Sequence, residues 1–523
     1  MSIHKSIARS AGIIGAGTLL SRLLGFVRDI VIARLFGVYL YSQAFVIAFR
    51  IPNLFRDLVG EGASNAVFVP VFSEYAHKHT QEEFWELANV VLNLLLVILM
   101  AITILGITFS PLIVRLIAPG FVDSPEKLET TIRLNRMIFP YLILISLTAY
   151  SMGILNSLKH FAIPALAPCL LNISIIIFAM FFGEGVTGLA LGVLVGGVLQ
   201  LAIQLPVLYK KGFRLQIFKR FRHPAASTMG RLMLPRIASS GVYQLNNFVD
   251  SIFGSLAFIV GEGGVAVLYF SYRLIQFPIG IFSNALSQAV LPTFSRQALD
   301  DRQSMKRTLS WGLRANFFVM IPASVAFIVL SRKIISSLYA GGSFDEYSVD
   351  LTSQALLYYS IGLFAYGAIK ILQCCFFALK DTLVPAKNTL LTLVLNVIFC
   401  LMLMRPMKIA GLALATSLSG MISFVVLFSI LRKRIGDFDL KHIFGSFLKI
   451  SAASISMGLV CFLVSKIQAP KLLSLFLSVF SGLAAYVLFC FVFRVREAGE
   501  LWNWLRGRFS KANNVVQDNY DNE

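Results

Sequence analysis

The chain has 523 residues, of which 57% are hydrophobic and only 14% are charged, whereas about a quarter of the residues in soluble domains are charged. This composition excludes a soluble globular protein, and apolar segments of about 20 residues favour membrane helices over the short alternating strands of a β-barrel. Lys and Arg accumulate in the cytoplasmic loops of membrane proteins, so the formal charge of +20 predicts no nucleic-acid partner.

The apolar runs predict an all-α polytopic membrane protein with about fourteen transmembrane helices. Their centres lie near residues 22, 48, 98, 145, 173, 198, 246, 274, 322, 364, 394, 420, 455 and 483. The first run begins after basic residues, as a signal peptide does, but it continues through Arg22 and Arg28 without a small-residue cleavage site. We therefore expect a retained first helix.

Charged residues interrupt the first two predicted helices. Arg22 and Arg28 lie near the middle of the first, where an arginine costs roughly 2.5 to 3.5 kcal/mol on insertion scales. We expect both, and Arg56 further on, to face a water-filled cavity rather than to reach a helix end. Guanidinium groups suit phosphate because they donate paired hydrogen bonds. Asp29 and Glu61 are the expected charge partners.

The loops predict the orientation of the chain. Residues 210–236 contain eight Lys and Arg residues and no acid, which indicates a cytoplasmic loop. Residues 296–314, 380–387, 432–449 and the tail from 494 are also basic and fall on the same side. Both termini are then cytoplasmic.

Three short segments recur with an offset of 221 to 223 residues. The pairs are LKHFAIPA at 158–165 with LKDTLVPA at 379–386, GLALGVLVGG at 188–197 with GLALATSLSG at 411–420, and VPVFS at 69–73 with LPTFS at 291–295. One match is expected by chance, but a constant offset indicates a duplication. The halves contain six spans each, so they share one orientation and form a parallel repeat.

This repeat predicts two pseudo-symmetric six-helix lobes, at 1–222 and 223–442. Two further helices at 443–496 and a cytoplasmic tail at 497–523 follow. A cavity between two such lobes is typical of alternating-access transporters. Arg273, the one charge of the eighth helix, adds a cation from the second lobe, and we expect it to converge with the arginines of the first.

Asp250 is the one acid of the seventh helix and follows Asn246 and Asn247. Two interpretations remain open: a site for Na⁺ or a proton, or a hydrogen bond between packed helices. Asp381 is expected to be a loop or capping residue. No catalytic group of residues, metal-ligand spacing or phosphate-binding loop occurs. We expect no enzyme, metal or cofactor, and an ion gradient or the membrane potential as the energy source.

Three segments resemble the signature segments of a known family. They are SRLLGFVRDIVIARLFG at 21–37, AFRIPNLFRDLVGEGASNAVFVPVFSEY at 48–75 and YRLIQFPIGIFSNALSQAVLPTFS at 272–295. They are similar to those of the MurJ (MviN) lipid II flippases of the MOP exporter superfamily, and the resemblance runs through essentially the whole chain. It implies a bacterial inner-membrane protein that moves the undecaprenyl-diphosphate-linked disaccharide pentapeptide to the periplasmic leaflet for peptidoglycan synthesis.

By position, the resemblance implies that four arginines bind the diphosphate of lipid II. They are Arg22, Arg28, Arg56 and Arg273. It also implies that Glu61 is a matching acidic position and that the last two helices line a groove for the lipid tail. The partners that it implies are lipid II and membrane lipids. Whether proteins of cell-wall synthesis or division also bind is a question that the resemblance leaves open. The chain departs from the family pattern at three positions. Gln43 stands where members of the family often have Asp, and Asp57 stands where they commonly have a second Arg. Tyr272 occupies a position that is acidic in some members.

Three alternatives make different demands. The first is a multidrug or O-antigen-type exporter of the same superfamily; drug–cation antiport would need cavity carboxylates, but arginines outnumber acids in the membrane-embedded segments. A membrane-embedded transferase would need a catalytic acid or an acidic metal cluster, and a scaffold for division proteins would leave the intramembrane arginines unexplained.

Overall fold

The structure is a computed structural model that describes residues 3–55, 67–182, 186–217 and 219–500. These residues form helices and no β-strand, which confirms the predicted all-α class. The α-helices are α1 (Ile3–Phe36), α2 (Leu40–Phe55), α3 (Val69–Lys78), α4 (Gln81–Thr108), α5 (Ser110–Ile117), α6 (Pro125–Ile138), α7 (Tyr141–Ser157), α8 (Ala162–Phe181), α9 (Val186–Ala202), α10 (Leu205–Lys210), α11 (Pro224–Gly254), α12 (Ala257–Val260), α13 (Gly264–Pro278), α14 (Asn284–Asp300), α15 (Arg302–Leu338), α16 (Glu346–Ile361), α17 (Leu363–Ala378), α18 (Leu383–Ile435), α19 (Leu440–Ser465) and α20 (Lys471–Val492).

Many of these helices are long and apolar enough to cross a membrane. Within the described ranges nine candidate spans meet that test, and ten do if the bent pair α16 and α17 counts as one. Every expected centre lies inside a helix, although the number fourteen itself stays a prediction. The 53-residue α18 contains two centres, and its backbone breaks at Lys408 (φ 52°, ψ −130°), two residues after Pro406.

The chain divides into two compact units. The first comprises residues 1–270 with 339–348, and the second comprises 271–338 with 349–523. The lobe boundaries expected at 222 and 442 stay predictions.

In the first unit, α8 packs against both α1 and α9, and α2 packs against α6. Small residues allow this approach, since Gly192 and Gly196 on α9 lie against the backbone of α8. A separate buried core of α3, α4 and α7 includes Phe72, Phe84 and Tyr150. The Tyr150 hydroxyl donates to a backbone carbonyl of α4 at 2.6 Å, so the buried phenol has a partner.

The second unit is built around α15, which packs against α17, α19 and α20. The last two helices also pack against each other, with Gly482 of α20 lying against Cys461 of α19. The Tyr486 hydroxyl donates to the Phe318 carbonyl at 2.7 Å and joins α20 to α15. The two C-terminal helices are thus part of the second unit.

The repeat has a local structural counterpart. Lys159 and Lys380, at equivalent positions of the repeat, both have φ of 59°, an uncommon conformation for a residue with a side chain. The next amide, of His160 or Asp381, donates to the carbonyl five residues earlier at 2.8 or 2.9 Å. Each site is therefore a Schellman C-cap, as is the end of α20 at Arg494, and the duplication itself stays a prediction.

Candidate functional site

Two of the predicted arginines lie on α1 in different environments. Arg28 is buried and Arg22 is exposed. Residues six apart lie about 240° apart around a helix, or about 120° by the shorter way, so the two side chains share a face of α1 only loosely.

Arg28 forms a buried ion pair with Asp29, the next residue in the chain. Its Nε and Nη2 atoms donate to Asp29 Oδ1 at 3.1 and 2.7 Å. The two side chains are only 7% and 0% exposed. Breaking a pair buried to this extent is strongly destabilising because it leaves an uncompensated charge.

Two polar side chains complete the surroundings of Arg28. Arg28 Nη1 donates to Asn172 Oδ1 at 3.1 Å, and Nη2 donates to the Tyr269 hydroxyl at 3.1 Å. That hydroxyl in turn donates to Asp29 Oδ1 at 3.2 Å. We call Arg28, Asp29, Asn172 and Tyr269 the arginine network.

Contacts with the surrounding helices fix the arginine network in position. Asn172 Nδ2 donates to the carbonyls of Ser21 and Pro168 at 3.1 and 3.3 Å, so its carbonyl oxygen is directed at Arg28. The Arg28 Cζ atom also lies 5.9 Å from the centre of the Phe49 ring, within range of a cation–π interaction. Four of the five guanidinium N–H groups of Arg28 donate hydrogen bonds, two to Asp29, one to Asn172 and one to Tyr269. An anion that approaches Arg28 in this conformation therefore competes with Asp29.

The sequence does not single out Asn172 or Tyr269 as a site residue. A signal for Asn172 existed, because it is the one amide in the apolar helix α8. Nothing in the sequence indicated that α8 lies beside α1.

A second polar cluster was missed entirely. Lys127 Nζ donates to Glu262 Oε1 at 2.6 Å, and Gln43 Nε2 donates to the same oxygen at 2.9 Å. The Lys127 side chain is 8% exposed, whereas that of Glu262 is 42% exposed. Gln43, one of the departures from the family pattern, is therefore a neutral hydrogen-bond donor to the carboxylate of a lysine–glutamate ion pair.

The remaining predicted residues are dispersed. Asp250 is half-buried on α11 in the first unit. Arg273 is half-buried on α13 in the second unit, and its convergence with Arg22 and Arg28 stays a prediction. Arg56 and Glu61, like Asp57, lie outside the described residues. Tyr272, beside Arg273, packs on Tyr359 with ring centres 5.4 Å apart.

The described residues contain no group of three or more His, Cys, Asp or Glu side chains placed to hold a metal ion. At α1 the structure shows a buried guanidinium oriented by a carboxylate, an amide and a hydroxyl, and a guanidinium is a group suited to carboxylate and phosphate ligands.

Comparison with known proteins places this geometry in a family. The family model described as "Lipid II flippase MurJ" matches residues 32–481. The chain belongs to the MurJ lipid II flippase family. A relative named "Probable lipid II flippase MurJ" from Buchnera aphidicola subsp. Acyrthosiphon pisum (strain APS) is 36% identical over 415 residues, which is 78% of this chain and 81% of the relative.

Other members of the MurJ family match over similar lengths. "Lipid II flippase MurJ" of Burkholderia cenocepacia is 33% identical over 426 residues, covering 80% of this chain and 82% of that protein. A solved structure of "Lipid II flippase MurJ, inward closed conformation" is 29% identical, with a TM-score of 0.78, and the match covers 92% of this chain and 98% of that one. MurJ family members are flippases, so the chain is a multi-pass membrane transporter and not an enzyme.

The fold extends beyond the MurJ family. An inward-facing multidrug resistance MATE family transporter of the MOP superfamily matches with a TM-score of 0.66 at 19% identity, covering 80% of this chain and 95% of that one. At this identity the likeness concerns the fold alone.

Proposed function

We propose that this chain moves lipid II from the cytoplasmic to the periplasmic leaflet of the bacterial inner membrane by alternating access, with both termini in the cytoplasm. Relatives that match most of the chain are named lipid II flippases. The basic loops support the orientation, because Lys and Arg are retained on the cytoplasmic side.

The observation that carries the proposal is the buried, fully oriented guanidinium of Arg28. An arginine at this depth is costly unless it is paired, and in this conformation Asp29 supplies the pairing. A diphosphate presents several acceptor oxygens and more negative charge than one carboxylate, so it is the kind of ligand that displaces Asp29. Arginine suits it because its planar fork donates two parallel hydrogen bonds.

Asp29 then acts as an exchangeable counter-ion. When the headgroup enters, phosphate oxygens take over the bonds that Asp29 accepts, and Tyr269 and Asn172 keep the guanidinium in place. When the headgroup leaves, Asp29 pairs with Arg28 again, which offsets part of the cost of release. Arg22, Arg56 and Arg273 contribute further positive charge in this proposal, and the polyprenyl tail stays in the lipid beside the last two helices.

The membrane potential is a sufficient energy source for this direction of transport. Moving a charge across the membrane is worth about 2.3 kcal/mol per elementary charge per 100 mV, and an inside-negative potential favours the outward movement of an anion. Asp250 is the candidate site if Na⁺ or a proton is coupled instead. No resident cofactor is part of the proposal.

The proposal is tested with the purified chain in liposomes that contain fluorescent lipid II, with and without an inside-negative potassium diffusion potential. We expect lipid II to leave the inner leaflet faster than in protein-free liposomes, and faster still with the potential applied. Fluorescent phosphatidylglycerol in parallel liposomes should not move. Equal movement of both lipids would identify a scramblase, and no movement of lipid II would refute the proposal.

A further inference from the structure

The loop between α10 and α11 is basic and firmly docked. Residues 210–223, which we call the basic loop, contain six Lys and Arg residues and no acid. Gly212 turns the chain with φ of +102°, a conformation that favours glycine. Phe213 then enters the core, 3% exposed, with its ring centre 5.6 Å from that of Trp85 on α4.

Two buried asparagines of α4 hold the backbone of the loop. Asn89 Nδ2 donates to the Arg214 carbonyl at 3.0 Å, and Asn89 Oδ1 accepts from the Gln216 amide at 2.8 Å. Asn93 Nδ2 donates to the carbonyls of Gln216 and Arg220 at 3.0 and 3.1 Å. A loop whose basic residues only set the orientation of the protein in the membrane would not need four hydrogen bonds from α4 to its backbone.

The loop lies at the depth where α4 leaves the polar region. Arg220 forms an ion pair with Glu86, the last charged residue of α4 before the uncharged run 87–108. The bonds from Asn89 and Asn93 fall within the first two turns of that run. The basic loop therefore sits beside the boundary between headgroups and hydrocarbon.

The outer surface of the loop mixes cations and apolar side chains. Among the described residues from 214 to 222, the exposed ones are Arg214, Leu215, Gln216, Ile217, Lys219, Arg220, Phe221 and Arg222. Leu215, Ile217 and Phe221 are 47%, 48% and 42% exposed. This is the composition of segments that lie in a membrane interface, with apolar groups in the acyl boundary and cations at the phosphates.

A cavity of about 430 Å³ opens beside this surface. Arg222 and His223 form its polar side, and Leu94 and Phe221 form its apolar side. One cation next to an apolar wall matches the join between a phosphate and the acyl chains of a phospholipid.

We propose that the basic loop and this cavity bind the headgroup of an anionic phospholipid, with Arg222 at the phosphate and Leu215 and Ile217 inserted beside the acyl chains. Juxtamembrane basic residues each strengthen binding to anionic lipid, and the apolar side chains add specificity for a bilayer over a free anion. The proposal does not depend on lipid II transport.

Native mass spectrometry of the full-length chain, titrated with phosphatidylglycerol or phosphatidylcholine, tests this proposal. We compare Arg214→Gln/Lys219→Gln/Arg222→Gln with a control triple that removes three exposed cations elsewhere, Arg302→Gln/Arg307→Gln/Arg432→Gln. The loop triple should bind phosphatidylglycerol at least about tenfold more weakly, whereas the control triple and all phosphatidylcholine binding should be unchanged. Equal losses in both triples would show a general charge effect and overturn the proposal.

A second variant separates a built site from simple charge attraction. Leu215→Ser/Ile217→Ser keeps every charge and alters only exposed positions, so we expect it to fold with an unchanged melting temperature. It should lose several-fold in phosphatidylglycerol binding and none in binding of inorganic phosphate. Unchanged phosphatidylglycerol binding would contradict insertion of the loop, and equal weakening of lipid II binding would assign the surface to substrate instead.

Discussion

Arg28 and Asp29, neighbours in the chain, are joined by two hydrogen bonds to one oxygen, Asp29 Oδ1, at 2.7 and 3.1 Å. Consecutive residues of a helix point about 100° apart, so the pair forms only because the long arginine side chain folds back. The consequence is that Asp29 moves with Arg28 as part of one helix. A rigid movement of α1 therefore leaves the counter-ion in place, ready to take the guanidinium back after an anion departs.

Asn172 should be needed to hold Arg28 in position. Asn172→Leu keeps the approximate volume but leaves Arg28 Nη1 without its acceptor, and a buried donor left unsatisfied costs about 1 to 3 kcal/mol. We expect a lower melting temperature and slower lipid II movement. Ile173→Leu, at the next position of α8, is the control. Unchanged transport by a stable Asn172→Leu protein would show that Arg28 does not rely on this contact.

The Lys127–Glu262 pair should respond unequally to removal of its two members. Lys127 is nearly buried and Glu262 is half-exposed. Glu262→Gln therefore leaves a buried ammonium without its counter-ion, whereas Lys127→Met removes the buried charge and leaves a carboxylate that water solvates. Thermal unfolding in detergent should show the larger loss for Glu262→Gln. A larger loss for Lys127→Met would mean that the lysine makes another essential contact.

Much of this fold follows from composition and self-comparison. Helical class and the positions of the helices follow from apolar runs, because a membrane leaves the backbone few alternatives. The repeat predicted that Lys159 and Lys380 would be equivalent, and they share a conformation. Asp381 was expected in a loop or cap, and its carboxylate accepts from the amides of Leu383 and Val384 at the start of α18.

Contacts across the chain could not be derived in the same way. Arg28 and Asn172 are 144 residues apart, and Lys127 and Glu262 are 135 apart. When the neighbouring helices are unknown, a lone asparagine in an apolar run is equally consistent with a site residue and with a residue that only packs between helices. Periodicity gives the face of a helix but not its partner.

The hydrogen bond between Tyr39 and Asp345 should make stability depend on pH at both extremes. The Tyr39 hydroxyl donates to Asp345 Oδ2 at 2.5 Å. Burial acts to raise the pKa of Asp345, but hydrogen bonds from Tyr39 and Ser348 outweigh it and hold that pKa below its usual value. The hydrogen bond to Asp345 raises the pKa of Tyr39 to about 12.

The pH dependence of stability follows from these two pKa shifts. The contribution of Asp345 is complete above its ordinary pKa of about 3.9 and is lost as the pH falls through its lower folded value. That of Tyr39 is complete below about pH 10 and is lost as the pH rises toward 12. The difference in melting temperature between the parent chain and Tyr39→Phe should be constant from about pH 5 to 9 and shrink outside this range. A difference that changes between pH 6 and 8 would implicate another group.

Gly342 should tolerate no side chain. Its φ is +58°, and a Cβ there would lie 2.2 Å from the Arg34 carbonyl oxygen at the end of α1. Gly342→Ala should therefore lower the melting temperature by displacing segment 341–348 from α1. Gly445→Ala is the control, because a Cβ at that helical position meets nothing within 4 Å. Equal effects of the two substitutions would show that the segment adjusts without cost.

The most direct test of the central claim is the rate of lipid II movement in liposomes for Arg28→Lys against the exposed control Arg115→Lys. Lysine keeps the positive charge but cannot contact Asp29 twice and still reach Asn172 and Tyr269. We expect Arg28→Lys to lose most of the potential-dependent rate, at least about tenfold, while Arg115→Lys keeps the parent rate. A parent rate for Arg28→Lys would show that charge alone suffices and would contradict recognition of the diphosphate by an oriented guanidinium.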